Sequence, residues 1–588
     1  MFKLAKKYLG AFKKELIIGP AAKLTEAIFE LIVPLIMADI IDTGINGGAG
    51  KPYIYKMGGI MVLLGVLGLG CALVCQYLAS RASQGVGTVI RNDLFRHINT
   101  FSHTELDRFG TPSLITRITG DVNQVQSAVA MLIRLVVRAP FLVIGAAVMA
   151  MTIDLKLSVI FLAVMPLVSL VLYLIMSRSV PFYKVIQKKL DKISLITRES
   201  LTGARVIRAF SRGEAEEERF GEANEDYAET SMRVGRLSAL LNPLTYAIMN
   251  LAIAAIVWFG GFRVDSGELS QGQVIAFVNY MTQISLALVV VANLVVLFTK
   301  AAACSARINE VFDTSPSIVD GDGADVTHTQ KNVPKIEFKN LSFSYSENGD
   351  NALENISFSV NAGETVGVIG GTGSGKSTLV NLIPRFYDAE QGEILIDGVN
   401  VKNYKLDDLR KKVGVVPQKA VLFSGTIADN LRWGNENASL ADMEKAVSTA
   451  QAKEFIDKLP EGFDTEIAQG GRNLSGGQKQ RLTIARALTG SPEILILDDS
   501  ASALDFATDA ALRKAIAQNT DNMTVIIVSQ RATSIRYADK IIVLDDGEAV
   551  GIGTHDELME SCGVYREIVL SQEKTASGGV SKQAREGA

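Results

Sequence analysis

The chain has 588 residues, 48% of them hydrophobic, and a mean hydropathy of +0.22. This length excludes a single hydrophobic core, so two or more domains are expected. The formal net charge of −4 and the pI near 5.8 exclude a general attraction to nucleic acid.

The hydrophobic excess lies before residue 300, where six apolar stretches approach the roughly 20 residues that cross a bilayer. They are predicted at 16–41, 57–79, 131–152, 157–176, 238–262 and 273–299. Residues 1–14 carry five lysines and are predicted to form an amphipathic helix on the inner membrane face, in contact with lipid. The sequence therefore predicts a six-helix, all-α transmembrane domain over residues 1–313.

The connections between these spans alternate between short and long. The long ones, 80–130 and 177–237, carry clusters of arginine and lysine. Because basic loops stay on the cytoplasmic side, the chain is predicted to be a multi-pass protein of the cell membrane with both termini in the cytoplasm.

Charged residues also occur inside the predicted spans. Lys23, Glu26 and Glu30 share one face of the first span, and Arg134 and Arg138 lie four residues apart in the third. Charge in lipid is costly, so these groups are expected to face the helix bundle or an aqueous cavity. Two interpretations stay open: internal ion pairing, for example Glu30 with Arg134, or direct contact with a transported substrate.

The composition changes after the last span. Residues 314–334 are rich in Asp, Gly, Thr and Pro and are predicted to be a linker. From 335 to 572, short apolar strands alternate with helical segments, which predicts an α/β domain. Residues 573–588 contain few apolar side chains and are predicted to be a disordered tail.

A glycine-rich run follows the apolar strand at 366–369 and precedes a predicted helix. Its residues are Gly370, Gly371, Thr372, Gly373, Ser374, Gly375, Lys376, Ser377 and Thr378. This is the pattern and context of a P-loop, whose backbone N–H groups surround the phosphates of ATP. Lys376 is predicted to reach the terminal phosphates and Ser377 to hold Mg²⁺.

A second motif supports this interpretation. Leu474, Ser475, Gly476, Gly477 and Gln478 open a predicted helix, and the apolar strand 494–498 follows and ends in Asp498. Together with the P-loop and the six spans, this set resembles the ATP-binding cassette (ABC) transporter family, in its exporter branch. The resemblance covers essentially the whole chain and implies an ATP-hydrolysing half-transporter.

The resemblance also implies roles for individual residues. Tyr345 would stack on adenine, Gln418 would sense Mg²⁺ and the attacking water, and Asp498 would hold Mg²⁺. Asp505 would lie in a loop that crosses to the other subunit. Nucleotide domains of this family dock head to tail, so Ser475, Gly476, Gly477 and Gln478 would complete the site of the partner.

Two positions depart from the family pattern. Asp499 stands where the family has the glutamate that activates water, and Gln530 stands where it has a histidine that contacts the γ-phosphate. The aspartate carboxylate is about 1.5 Å closer to the backbone, one C–C bond. A misplacement of about 1 Å can cost on the order of 100-fold in rate. Impaired hydrolysis is therefore predicted at this chain's own P-loop.

These observations favour one half of a heterodimeric exporter of an amphipathic or drug-like substrate. The predicted partner is a second, non-identical half-transporter that carries Glu and His, and the compact half-transporter format favours a bacterial plasma membrane. A slow homodimeric exporter and an ATP-gated channel or sensor of the same fold remain alternatives. Two loop segments, 109–114 and 201–210, resemble the exporter segments that press on the nucleotide domains.

Overall fold

The structure is a computed structural model that describes residues 7–323, 333–346, 349–500, 503–520 and 522–583. The chain forms two compact units. Unit 1 comprises Met1–Asn99 and Thr111–Thr314, and unit 2 comprises Thr100–Gly110 and Ser315–Ala588. The second unit thus includes eleven residues of the first long loop, 100–110, which were predicted to belong to the transmembrane domain.

Long helices dominate the first 313 residues. The α-helices are α1 (Lys13–Asp39), α2 (Gly50–Ile98), α3 (His103–Phe109), α4 (Thr111–Thr116), α5 (Val122–Met131), α6 (Arg138–Ile153), α7 (Leu155–Thr202), α8 (Ala204–Ala209), α9 (Gly213–Ala239), α10 (Leu241–Asp265) and α11 (Gln271–Asp313). Shorter pieces are a 3₁₀ turn at Leu9–Phe12 and π-helical turns at Ile40–Asn46, Arg117–Asp121 and Leu132–Val136.

Five of the six predicted spans lie in helical stretches that are long and apolar enough to cross a membrane. These stretches are Gly50–Ile98, Thr111–Ile153, Leu155–Thr202, Gly213–Asp265 and Gln271–Asp313. The remaining predicted span lies in α1, which has 27 residues. Every stretch of 18 residues in α1 includes Lys23, Glu26 and Glu30, whereas each of the other five helical stretches contains an apolar segment of 18 residues with at most two charged side chains.

The three charges singled out in the first predicted span, Lys23, Glu26 and Glu30, are paired. Lys23 Nζ donates to Glu26 Oε2 at 2.6 Å, and Arg138 Nη2 donates to Glu30 Oε2 at 2.6 Å. Internal pairing of Glu30 is therefore found, but the predicted partner, Arg134, was wrong. Arg134 lies in the π-helical turn Leu132–Val136, whereas Arg138 is the first residue of α6 and is the one that reaches Glu30.

The two predicted terminal segments are only partly described. Residues 7–14 are helical: Lys7 and Tyr8 are α-helical, a 3₁₀ turn follows at Leu9–Phe12, and α1 begins at Lys13, whereas residues 1–6 lie outside the described chain. At the other end, the last helix begins at Gly563 and is described as far as Gln583; the disorder predicted for 573–588 stays a prediction. Residues 584–588 lie outside the described chain.

The α/β part of unit 2 contains three sheets in its described residues. The strands are β1 (Ile336–Phe343), β2 (Leu353–Val360), β3 (Thr365–Gly370), β4 (Gln391–Ile396), β5 (Val399–Asn400), β6 (Val413–Val416), β7 (Gly425–Thr426), β8 (Glu466–Ile467), β9 (Ile494–Asp498), β10 (Thr524–Val528), β11 (Lys540–Asp545) and β12 (Glu548–Gly553). The sheet orders are β2-β1-β4-β5, β12-β11-β3-β10-β9-β6 and β7-β8.

Helices pack around these sheets. They are α12 (Lys376–Leu382), α13 (Leu406–Lys412), α14 (Ile427–Arg432), α15 (Leu440–Thr449), α16 (Lys453–Asp457), α17 (Gly476–Thr489), α18 (Phe506–Asn519), α19 (Ala532–Ile535), α20 (His555–Ser561) and α21 (Gly563–Gln583). Short 3₁₀ turns occur at Val401–Asn403, Gly462–Asp464 and Gln469–Gly471.

The six-stranded sheet determines where a ligand can bind. Strands β3, β10 and β9 are adjacent and parallel, and β9 and β10 are buried along their full length. Their carboxyl ends therefore meet at one edge of the sheet, the place where open α/β sheets bind ligands. The predicted helical domain followed by an α/β nucleotide-binding domain is confirmed.

The segment 100–110 contacts the α/β part of unit 2 through α3. Glu105 accepts hydrogen bonds from Ser102 N at 2.9 Å and from Ser317 N at 3.2 Å. On the same helix, Asp107 accepts from Tyr387 Oη at 2.8 Å. Contact with the nucleotide domain was predicted for 109–114. The contacts observed for this loop lie several residues earlier in the chain, at Glu105 and Asp107.

Part of the predicted linker also belongs to unit 2. Gly321 N donates to Tyr404 O at 3.0 Å, and Asp320 Oδ1 accepts from Leu406 N at 2.8 Å. The described linker residues before 324 are thus bound to the α/β part, because their backbone and carboxylate groups find partners there. Residues 324–332 of the linker lie outside the described chain.

Candidate nucleotide site

The P-loop joins the end of β3 to the start of α12. Gly373 and Gly375 have φ values of +86° and +90°, in the left-handed region that favours glycine. A Cβ atom on Gly375 would lie 2.7 Å from Ala352 O, so a larger residue there would have to displace backbone. These glycines let the chain wrap round a small volume above the sheet edge.

Lys376 folds back over this loop. Its ammonium donates to Gly370 O at 3.1 Å, to Gly371 O at 2.5 Å and to Ser374 Oγ at 3.3 Å. Burial lowers the pKa of Lys376, and the nearby carboxylates of Asp499 and Asp498 oppose that effect. The loop thus holds a partly desolvated cation, a favourable partner for phosphate.

Ser377 and Asp498 supply neighbouring oxygen atoms. Ser377 Oγ donates to Asp498 Oδ1 at 3.0 Å, and Asp498 is the last, buried residue of β9. Burial raises the pKa of the Asp498 carboxyl, as does Asp499, whereas the Ser377 hydrogen bond and Lys376 lower it. A bound cation would offset this desolvation.

This pair fits Mg²⁺, a hard ion that prefers oxygen ligands and octahedral geometry. No group of three or more His, Cys, Asp or Glu side chains within the described residues could hold a metal ion. Ser377 and Asp498 could therefore hold Mg²⁺ only together with phosphate and water oxygens, as is usual for nucleotide-bound magnesium.

Asp499 and Gln530 follow the ends of β9 and β10. Asp499 has a φ of +44°, and its backbone N donates to Val528 O at 2.9 Å. Its Oδ2 accepts from Gln418 Nε2 at 3.3 Å. The backbone O of Gln530 accepts from Gln572 Nε2 at 2.7 Å. The two positions that depart from the family pattern therefore lie in consecutive loops of the same sheet edge.

Tyr345 follows β1 and lies beside the P-loop helix. Its hydroxyl shares a hydrogen bond with Thr378 Oγ1 at 3.0 Å, and its ring meets Phe343 and Tyr387 edge-on at centroid distances of 4.9 and 5.2 Å. The side chain is 52% exposed, so ring surface remains available for a planar ligand.

A cleft of about 290 Å³ brings these groups together. It is lined by Tyr345, Ala352, Thr372, Gly373, Gly375, Lys376, Ser377, Thr378, Gln418, Asp498, Asp499, Val528, Ser529 and Gln530. Sequence reasoning missed Ala352, Val528 and Ser529, whose residue types carry no chemical signal. It also missed Gln572, which lies in a segment close to the predicted tail.

The remaining predicted residues do not line this cleft. Ser475 and Gln478 form a capping box at the start of α17, with Ser475 N donating to Gln478 Oε1 at 2.8 Å. Gly476 and Gly477 are the first residues of that helix. Asp505 caps α18 by accepting from Thr508 N at 2.9 Å. These groups form a separate part of the surface.

The chain is similar to known proteins along nearly its whole length. Residues 16–288 match the ABC transporter transmembrane region, and residues 353–502 match the ABC transporter family. An uncharacterized ABC transporter ATP-binding protein, YfiB, of Bacillus subtilis (strain 168) is 40% identical over 93% of this chain and 95% of its own length.

Two further similarities extend this result. An ATP-dependent lipid A-core flippase of Hahella chejuensis (strain KCTC 2396) is 33% identical over 86% of this chain and 87% of its own length. A solved structure of a bacterial Atm1-family ABC exporter with ATP bound has a TM-score of 0.77 and 25% identity, and the match covers 97% of this chain and 98% of that one. The chain therefore belongs to the ABC transporter family, as an exporter half-transporter that carries a transmembrane domain and an ATP-binding domain in one polypeptide.

Proposed function

We propose that this half-transporter pairs with a non-identical half and that its own ATP site binds nucleotide but hydrolyses it slowly. Asp499 and Gln530, both in one cleft with Lys376, carry the proposal. They replace the glutamate and histidine of the family pattern. The helix that begins at Ser475 would complete a second, competent site on the partner.

The position of Asp499 supports slow hydrolysis. Its backbone N–H is bound to Val528 O, and its carboxylate accepts from Gln418. The side chain is about 1.5 Å shorter than glutamate, so its reach toward an attacking water is reduced. Because phosphoryl transfer depends on positioning, such a displacement slows the reaction without preventing ATP binding.

Gln530 supports the same conclusion by its chemistry. A carboxamide donates and accepts hydrogen bonds but does not become a cation. Histidine can carry positive charge near neutral pH, which favours contact with a charged phosphate. The substitution therefore retains a neutral contact and removes an electrostatic one.

The other residues of the cleft have the chemistry to bind ATP. In the proposal, Lys376 contacts the terminal phosphates, Tyr345 stacks on adenine, and Ser377 with Asp498 holds Mg²⁺ with Gln418 nearby. When bound, Mg²⁺ neutralises charge on the phosphate oxygens. Asp505 and the residues Ser475 to Gln478 act across the interface with the partner.

The proposed cargo is an amphipathic or drug-like molecule exported across a bacterial plasma membrane, with both termini of the chain in the cytoplasm. A relative named as a lipid A-core flippase supports an amphipathic class. The buried Nε of Arg134, which has no hydrogen-bond partner among the described residues, supports a cargo that carries a polar group. The basic loops 80–130 and 177–237 support the cytoplasmic orientation.

The test is purification of the native complex followed by mass analysis of its subunits. We expect a second half-transporter that carries Glu and His at the positions of Asp499 and Gln530. Recovery of this chain alone, with robust ATPase activity, would instead establish a homodimer. Uphill uptake into inverted vesicles separates an exporter from an ATP-gated channel, which supports only downhill flow.

A further inference from the structure

The last helix holds the loop that follows β10. Gln572 on α21 uses both ends of its carboxamide: Nε2 donates to Gln530 O at 2.7 Å, and Oε1 accepts from Ala532 N at 2.9 Å. A carboxamide carries a donor and an acceptor side by side, so one side chain can bind two backbone groups of a loop at once. The two hydrogen bonds thus lie on either side of Arg531, the residue between Gln530 and Ala532.

The loop is fixed on its other side as well. Ser529 N donates to Val368 O at 3.0 Å, and Ser529 Oγ accepts from Arg531 N at 2.9 Å. The Arg531 guanidinium lies 5.1 Å from the centre of the Phe506 ring. Gln530 is therefore the residue whose backbone is held by α21 while its side chain lines the nucleotide cleft.

Helix α21 can act as a firm support because its first half is packed into the core. Tyr565 is fully buried and Val569 is 5% exposed. The Tyr565 hydroxyl lies 2.7 Å from His555 Nδ1 on the preceding helix α20. Gln572 follows Val569 by three residues, so both lie on the same side of the helix. Core packing thus sets the position of the carboxamide.

We propose that Gln572 is a positioning residue for the ATP site. It holds the Gln530 backbone so that the Gln530 side chain faces the terminal phosphate, and it makes recognition of that phosphate depend on the C-terminal helix. The inference rests on the proposed role of Gln530 as the γ-phosphate contact. A purely structural role would instead consist of capping the short helix α19 through Ala532 N.

Two substitutions separate these roles. Gln572→Ala removes both hydrogen bonds. Gln572→Glu keeps an acceptor for Ala532 N but has no N–H to donate to Gln530 O. Glu567→Gln is the matched control, because Glu567 is an exposed residue of the same helix.

The measurement is photo-crosslinking of 8-azido-ATP and 8-azido-ADP to the full-length complex in nanodiscs, with the labelled subunits resolved. We expect Gln572→Ala and Gln572→Glu each to weaken the binding of ATP at this chain's site about 5- to 10-fold, the factor that corresponds to one lost hydrogen bond. The binding of ADP should stay unchanged. The Glu567→Gln control should match the wild type.

Coupling between the two residues gives an independent check. In a Gln530→Ala background, Gln572→Ala should cause no further loss of the site's preference for ATP over ADP. An equal loss of ATP and ADP, a Gln572→Glu variant that matches the wild type, or additive effects in the double variant would overturn the proposal. Because this test reads nucleotide binding, its failure is distinguishable from failure of the slow-hydrolysis proposal, which is read by turnover.

Discussion

Arg138 Nη2 on α6 donates to Glu30 Oε2 on α1 at 2.6 Å, so one ion pair joins two helices of the transmembrane unit. The two side chains are 23% and 39% exposed, respectively. Glu30 and Arg138, 108 residues apart in the chain, therefore neutralise each other in the transmembrane unit, where an isolated charge is costly. Of the interpretations drawn from the sequence, this contact favours ion pairing for Glu30.

We expect Glu30→Ala to lower the free energy of unfolding by about 2 kcal/mol, less than the roughly 3–5 kcal/mol for breaking a fully buried pair. The loss arises because Arg138 keeps its charge without a partner. Thermal unfolding in detergent measures it. The exchanged pair, Glu30→Arg with Arg138→Glu, should recover part of the stability; no recovery and an unchanged single variant would each contradict the pairing.

The second prediction concerns hydrolysis. Asp499→Glu together with Gln530→His should raise turnover at this chain's site by up to on the order of 100-fold, because the carboxylate regains its reach and a cationic contact is restored. ATPase assays of the complete complex provide the measurement. Adding Lys376→Ala should abolish the gain if it arises in this cleft. A flat rate in the double variant counts against the proposed catalytic deficit.

The third prediction follows from Lys376. Burial lowers its pKa, so its ammonium loses its proton at a lower pH than an exposed lysine does. Phosphate binding needs the charged form, so ATP affinity should fall as pH rises toward the ordinary lysine pKa of about 10.4, and the fall should begin at a lower pH than for an exposed lysine. Binding of a fluorescent ATP analogue measures this. Lys376→Arg should bind more weakly but with a flat profile, since arginine stays charged; a falling profile in that variant would assign the titration to another group.

The fourth prediction concerns α3. Burial raises the pKa of the Glu105 carboxyl, but hydrogen bonds from Ser102 and Ser317 outweigh it and hold the pKa below its usual value. The stabilisation is therefore present above the ordinary glutamate pKa and is lost as pH falls through the lowered one. Between about pH 5 and 8, Glu105→Gln should lower the free energy of unfolding by a constant amount of about 1.5 to 3 kcal/mol, the range for hydrogen bonds to a charged group.

The same substitution should lower transport more than ATPase activity, because Glu105 ties a segment of the first long loop to Ser317, in the stretch that leads into the α/β part. Transport into inverted vesicles and ATPase rates, measured on one preparation, give the ratio. Thr104→Ser is the control, since Thr104 is an exposed residue of the same helix. Equal losses of both activities in Glu105→Gln would argue against a coupling role.

The sequence by itself determined the features that depend on consecutive residues: the P-loop, five of the membrane spans and the two motif positions that depart from the family pattern. A P-loop is one contiguous run, so Gly370 to Thr378 and their strand and helix were predictable from spacing alone. Five of the spans were predictable because a bilayer requires about 20 apolar residues in succession. The departures at Asp499 and Gln530 were likewise visible, because each stands at a fixed offset from a buried strand.

The tertiary structure decided the contacts between distant residues. Glu30 pairs with Arg138 rather than Arg134, a choice between two arginines that helix spacing alone could not make. Gln572 reaches Gln530 across 42 residues because α21 packs against α19 and β11, and no motif records that approach. The contacts of 100–110 with the α/β part of unit 2 arise in the same way. Such contacts depend on how elements pack, whereas the motifs depend only on consecutive backbone and side-chain chemistry.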